Sequence, residues 1–365
     1  MLKAFDGLDH YDDADDMQAR AGFLQYAVPS ANNALTFVTG SNGAGKAARF
    51  TTANNVRCCT IHFGEDNATA FFGCKLRLSH GAEFQVRDSF AATTQCAVLF
   101  DPADKSIALF RGDSTGTLLF RTDANAWVVN TWFMFELMAT ISNTLGSLLT
   151  RINGVGKAGS VGVDTQTTGS ALWSALRVLA QHGGVGNSTV DIDDAYYLDT
   201  VAGPGPYPMN TFIGSARVET LFANGNDAVQ FTPLSGTNYQ MIDEQAMDAD
   251  TTYNSSATYL HKDSFNFGAL SVTAASIFGV QLTTAARKDN AGLLYIQQFL
   301  KQGGTEFPSA ADLVLSDTYQ YYSEVWAFDE YTSKPWSVSA VNSLSAGYLH
   351  NTPTGYGMSY GTFYG

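Results

Sequence analysis

The sequence predicts an all-β protein made of antiparallel sheets packed face to face. Three observations carry that expectation. Short runs of alternating apolar and polar residues recur roughly every ten residues, separated by Gly, Asn, Asp and Ser turns. No sustained 3.6-residue apolar pattern runs through most of the chain. Aromatic residues make up 13% of the 365 positions, 24 Phe and 17 Tyr among them, a bias that suits pleated, half-buried surfaces. Apolar content of 45% against 15% charged places the chain among well-packed globular proteins rather than disordered ones.

In chain order, strands are predicted at 21–28, 35–39 and 47–51. The last two are joined across Gly40-Ser41-Asn42-Gly43-Ala44-Gly45. With Lys46 and Ala47 this run matches a phosphate-cradling loop except at the end, where Ala47 lacks the hydroxyl that holds magnesium. Strand residues follow it instead of a helix N-terminus, so it is read as a Gly-rich hairpin turn. Alternation continues at 57–63, 69–78, 82–87, 95–100, 106–111 and 117–121. Arg111-Gly112-Asp113 falls between the last two and is read as a hairpin loop with Gly supplying the turn, not as a receptor motif. Trp132 opens a strand at 132–141; after Ser142-Asn143-Thr144, a second at 147–153 runs into the Asn153-Gly154 hairpin signal. Strands at 174–180 and 189–199 close this part, with the acids of the last at its solvent-facing steps.

Pro204, Pro206 and Pro208, with Gly203 and Gly205, cannot run through a central strand. The domain boundary is therefore placed there: a first sandwich at 1–203, a second, smaller β-sandwich at 204–351, and a tail at 352–365. Further strands are predicted at 212–223, 228–231, 257–267, 270–287, 292–300 and 320–329, with a long exposed loop at 235–256. Val338, Val341 and Leu344 share one helical stripe, predicting a short helix with Pro335 in its first turn. In the uncharged tail, Tyr356, Tyr360, Phe363 and Tyr364 alternate with glycines. They are candidate assembly contacts, because Tyr offers large contact area at small entropic cost.

The formal net charge of −14 and the lack of any Lys/Arg cluster argue against nucleic acid as a partner. No apolar run reaches the ~20 residues that span a bilayer. The start, Met1 to His10, lacks a signal peptide's apolar core, which predicts synthesis in a cytosol without a cleaved leader. Cys58, Cys59, Cys74 and Cys96 show no Cys-x-x-Cys spacing and are expected to be buried free thiols. Sequons at Asn67, Asn187 and Asn254 are read as chance.

For hydrolytic chemistry, paired carboxylates are needed. Asp191 and Asp193 share a strand face about 7 Å apart, but the third carboxylate of the jelly-roll glucanase pattern is replaced by Ala195 or Tyr196. Retaining hydrolysis wants two carboxyls ~5–5.5 Å apart. Glu324 and Asp329 have opposite parity and, with Glu330, are read as a soluble outer face. His10, His62, His80, His182, His261 and His350 show no paired metal spacing. Asp12, Asp13, Asp15 and Asp16, and Asp243, Glu244, Asp248 and Asp250, lack the calcium-loop pattern and are read as solvated acidic loops.

The Trp132 strand, the strand ending in Asn153-Gly154, and Ile192-Asp193-Asp194-Ala195-Tyr196-Tyr197-Leu198-Asp199 together resemble the second half of a concanavalin-A-like jelly roll. Phe5 to Tyr11, Phe212 to Leu221, Asp250 to Ser256 and Lys334 to Asn342 extend a resemblance to bacteriophage virion proteins with lectin-like sandwiches. The resemblance implies a jelly roll over 1–203 and a structural part of a phage tail, tail fibre or tail tip, assembled in the host cytoplasm. It also implies other virion proteins and copies of itself as partners, a homo-oligomer (a trimer in a fibre), and contact with host-surface polysaccharide. A head decoration or spike without glycan binding is the alternative, and a glycan depolymerase the third reading. The expected chain has no enzymatic activity, no catalytic residues, no cofactor, no metal, no nucleic acid and no membrane insertion.

Overall fold

The computed structural model describes residues 1–29, 33–53, 56–88, 93–181, 186–202, 209–271 and 276–351, with the backbone of 363–364. The chain is all-β apart from two five-residue helices and a short 3-10 turn among these residues. No helix among them is long and apolar enough to cross a membrane. Two compact units form: Met1–Gln18, Gly22–Ala202 and Met209–Val218 make the first, and Ala19–Ala21 with Glu219 onward make the second. The proline-rich run 203–208 lies outside the described residues.

The first unit contains β1 (Leu2–Asp6), β2 (Gln25–Ala27), β3 (Asn33–Thr39), β4 (Lys46–Thr52), β5 (Arg57–Asn67), β6 (Thr69–Leu78), β7 (Gly81–Asp88) and β8 (Thr93–Phe100). It continues with β9 (Ile107–Arg111), β10 (Thr117–Arg121), β11 (Phe133–Thr140), β12 (Gly146–Ile152), β13 (Val155–Val163), β14 (Trp173–Gln181) and β15 (Ser188–Asp199). Its first sheet runs β13-β12-β11-β6-β15-β4-β3, with β1 also on β15; the second runs β10-β9-β8-β7-β14-β5-β2. All pairs are antiparallel. Between β4 and β7 the chain crosses from sheet to sheet at each step, then runs as two meanders, β7–β10 and β11–β13. This is a jelly-roll sandwich.

Strand alternation explains why the sheets close on each other. Phe63, Phe84 and Phe100 of the second sheet meet Phe72, Phe135 and Tyr197 of the first, with ring centroids 4.3–6.1 Å apart. Trp173 packs edge-on to Phe63 at 5.2 Å. Such rings bury large apolar areas and add about 0.5–1.5 kcal/mol per well-set pair.

Several boundaries differ from the expectation for physical reasons. The strand predicted at 21–28 shrinks to β2 because Gly22 (φ +80) and Leu24 (φ +55) are left-handed. The exposed-side strand β13 carries little apolar alternation, and neither it nor the five-residue N-terminal β1 is predicted. Residues 212–222 form no strand; the part that belongs to the first unit, up to Val218, lies on the outer face of the first sheet and sends two of its N–H groups to side-chain carboxylates. Gly214 donates to Glu136 at 2.8 Å and Val218 to Asp194 at 2.8 Å.

The second unit pairs Ala223–Val229, Lys262–Phe267, Ser345–Asn351, Tyr295–Gln302 and Thr305–Pro308 in that order, with Leu313–Val314 added to Tyr295–Gln302. A further sheet holds Thr232–Pro233 on Asn254–Ser256 and Val280–Lys288 on Gln320–Trp326. Phe231, Phe265, Ile296, Tyr322 and Tyr348 form one core cluster. Trp326, Trp336, Leu344 and Ala346 belong to another. The predicted exposed loop 235–256 contains the 3-10 turn Asn238–Met241 and buried Asn238, Met241 and Asn254. What draws it inward is Asp263, fully buried, which accepts from Gln230 N–H (2.7 Å), Phe231 N–H (2.9 Å) and Asn238 Nδ2 (3.0 Å). The helix forms at Val338–Asn342, capped by Ser337 Oγ, so Pro335 precedes the cap and is not in the first turn.

Candidate functional site

The acids singled out from sequence sit on the outer face of the first sheet, and they are buried rather than solvated. Asp191 is 1% exposed. Arg49 holds it by two 2.8 Å bonds and Arg77 by one of 2.6 Å. Asp193 accepts from Ser41 N–H at 2.7 Å and from Asp194 N–H at 2.7 Å. Asp194, left-handed at φ +48, takes Ser41 Oγ at 3.2 Å. Glu136, also buried, accepts Tyr196 Oη at 2.7 Å beneath residues 212–218. These carboxylates are engaged by arginines, backbone N–H groups and hydroxyls.

Of the remaining acids, Asp12, Asp13, Asp15, Asp243 and Asp250 are exposed, and several make local contacts. Asp13 Oδ1 caps the helix Ala14–Gln18 through the N–H groups of Asp15 and Asp16. Thr252 Oγ1 bonds Glu244 and Asp248, while Asp250 pairs with Arg287. Glu324 is half-buried, and loss of solvent raises its carboxyl above the usual range. Asp329 is buried past the end of that strand, where it holds a turn through Tyr331 and Thr332. Among the described residues no three His, Cys, Asp or Glu side chains are arranged to hold a metal. His182, Tyr356 and Tyr360 lie outside the described residues; the backbone of Phe363–Tyr364 pairs with Ser255–Ser256 and Arg287–Lys288 of the same chain.

A different set of residues meets on the outer face of the second sheet. On β7, β14 and β5 the side chains of Phe84, Val86, Leu176, Val178, Cys59 and Ile61 turn inward. Alternation therefore turns Glu83, Gln85, Arg87, Arg177, Thr60 and His62 outward. The register places Gln85, Arg177 and Thr60 in one row across the three strands, and Arg87, Ala175 and His62 in the next. Neighbouring strands are ~4.8 Å apart, so Arg87 and His62 stand about 10 Å apart across Ala175. Ala97, Ala175, Thr60 and Gln85 form a buried floor.

The electrostatics of this face are unusual for so acidic a chain. Five arginines elsewhere hold carboxylates: Arg49 and Arg77 on Asp191, Arg111 on Asp164, Arg121 on Asp101 and Arg287 on Asp250. Arg87 and Arg177 are half-buried, and no described residue gives either a hydrogen bond or an ion pair; the Nε of each is buried without a partner, as is Thr60 Oγ1. Glu83, a carboxylate on the face, is taken by neutral donors: Ser114 Oγ (2.6 Å), Gln85 Nε2 (2.8 Å), Ser114 N–H (3.1 Å) and Gln181 Nε2 (3.1 Å). Burial lowers the guanidinium pKa of both arginines, and repulsion from Arg57 adds to it, with Arg177 also acting on Arg87. Loss of solvent, then the charges of Arg57 and Arg87, hold His62 below the usual imidazole range, so it is neutral near pH 7.

Sequence reading finds no Lys/Arg cluster because these residues lie far apart along the chain. The signal available is Gln85-Val86-Arg87, Thr60-Ile61-His62 and Arg177: polar residues with long or ring side chains at alternate positions of otherwise apolar strands. Such residues on a sheet's outer face read locally as a wetted surface.

No known family profile matches the chain, and no curated protein matches it. Solved structures overlie about half of it. A cellulose-induced protein, Cip1, covers 53% of this chain and 94% of its own, at 14% identity and a TM-score of 0.35. Alginate lyase vAL-1 from Chlorella virus covers 48% and 92%, at 12% identity and a TM-score of 0.35. Lectin UEA-II, solved with galactose, covers 48% and 95%, at 11% identity and a TM-score of 0.29.

Proposed function

We propose that this chain is a non-enzymatic recognition and building component of a bacteriophage particle that presents the outer face of its second sheet to host-surface polysaccharide. The observation that carries the glycan reading is the pair of half-buried guanidiniums, Arg87 and Arg177, for which the described protein offers no acceptor. Buried polar groups are almost always paired, so donors held open on a sheet face imply an acceptor from outside. Amide, hydroxyl and guanidinium groups in adjacent rows suit the hydroxyls of a sugar chain. The phage assignment rests on the ordered resemblances of Phe5–Tyr11, Trp132–Val155 and Phe212–Leu221 to virion proteins. The absence of a catalytic role is supported by the engagement of Asp191, Asp193 and Glu136 in internal bonds.

The test is a titration of the full chain against host-cell polysaccharides, with product analysis alongside. Binding that weakens at least about tenfold in Gln85→Ala/Arg177→Ala, with no reducing ends and no unsaturated sugar formed, is the expected result. No binding to any polysaccharide would remove the recognition role, and product formation would make the chain an enzyme.

A further inference from the structure

We infer that the polymer bound on the second sheet's outer face is an acidic polysaccharide, read through sugar carboxylates by the guanidiniums of Arg87 and Arg177 with Arg57 beside them. The inference rests on the reading of that face as a glycan surface and deepens it.

Charge complementarity carries it. Three arginines on β5, β7 and β14 lie close enough that Arg57 and Arg177 depress Arg87 and Arg57 depresses Arg177. Arg87 and Arg177, partly desolvated beside each other and with no acceptor among the described residues, cost free energy unless a counter-charge arrives. The protein has carboxylates to spare, 34 Asp and Glu against 20 Lys and Arg, yet places none against Arg87 or Arg177 among the described residues. Glu83 stands on the same strand and face as Arg87, and Ser114, Gln85 and Gln181 satisfy it with neutral groups. The vacant counter-charge therefore comes from the ligand. Guanidinium is planar and matches a carboxylate with two parallel bonds.

A sugar polymer fits better than nucleic acid. The neutral donors and acceptors among the arginines, Gln85, Gln181, Thr60 and Thr94, suit a chain with several hydroxyls per charge. Three arginines are few beside the 6–10 phosphate contacts of typical nucleic-acid binders. His62, neutral near pH 7, adds a hydrogen-bonding edge rather than a fourth charge.

The experiment uses the full chain with four probes at low and physiological salt: a polyuronate, neutral dextran, dextran sulfate and single-stranded DNA. Expected is binding to the polyuronate that weakens severalfold between 50 and 200 mM salt, and falls about tenfold for each of Arg87→Gln and Arg177→Gln. Arg87→Lys/Arg177→Lys, which keeps charge but loses the planar fork, should recover only part of the affinity. Native circular dichroism of every variant separates lost binding from lost folding, and the salt response of the unaltered chain needs no variant. Neutral dextran bound as well as the polyuronate would overturn the acidic-ligand inference while leaving glycan recognition intact. Dextran sulfate bound equally well would overturn the carboxylate reading, tighter binding of DNA would overturn the sugar reading, and no binding to any probe would remove the glycan surface itself.

Discussion

Asp194 sits with a left-handed backbone beside Asp193, and its carboxyl accepts Ser41 Oγ and Val218 N–H. Loss of solvent, followed by the Asp193 charge, pushes its pKa up to about 7. A carboxyl that titrates higher in the folded state than in the unfolded one holds its proton by folding. Its contribution is complete below the unfolded value of about 4 and is lost as pH rises through about 7. Thermal melts across pH 4 to 8 should show stability declining over that window, and Asp194→Asn should flatten the decline. An unchanged pH slope in the variant would assign the titration elsewhere. The alternating acids at 191 and 193 are legible in the sequence, and their shared face is correct. Their burial is not legible, because Arg49, Arg77 and Ser41 arrive from segments more than a hundred residues away.

At the scale of elements, the Gly40–Gly45 turn shows how a motif can be recognised and its cause still missed. The run is a hairpin between β3 and β4, as its composition and the strand after it predict. The glycines answer to two carboxylates, half-buried Asp9 and buried Asp193, rather than to phosphate. A side chain at Gly45 (φ +66) would collide with the Asp9 carboxylate, which accepts Lys46 N–H at 2.7 Å. One at Gly40 would press on Ala44 O and Asp193. Gly45→Ala should cost about 1–3 kcal/mol in denaturant unfolding, from backbone strain and overpacking together. The central strands from β4 to β15 are readable because period-2 alternation and buried rings coincide there. Strand β13, whose residues are mostly exposed, leaves no such trace.

For the molecule as a whole, sequence places the first boundary at 203, whereas Met209–Val218 belongs with the first unit. Phe212 packs edge-on to Phe71 and lies 4.3 Å from the Arg151 guanidinium, Gly214 reaches Glu136, and Val218 reaches Asp194. A fragment 1–218 should therefore unfold at higher urea than 1–203, by about 2 kcal/mol or more for the two backbone donors and the aromatic contact. Equal midpoints would show that the segment contributes nothing. The arginine face illustrates the limit of reading from sequence at this scale. Arg57, Arg87 and Arg177 meet because β14 enters between β7 and β5. Nothing local to any of the three strands encodes that insertion.

Cys58, Cys59, Cys74 and Cys96 are all buried in the first unit, and loss of solvent raises every one of their thiols, Cys59 to about 12. A thiolate is the reactive form, so an electrophile in solution finds no target until a sheet detaches. The native chain thus carries its own clock for opening, in which the pace of alkylation counts excursions of the sandwich rather than the chemistry of sulfur.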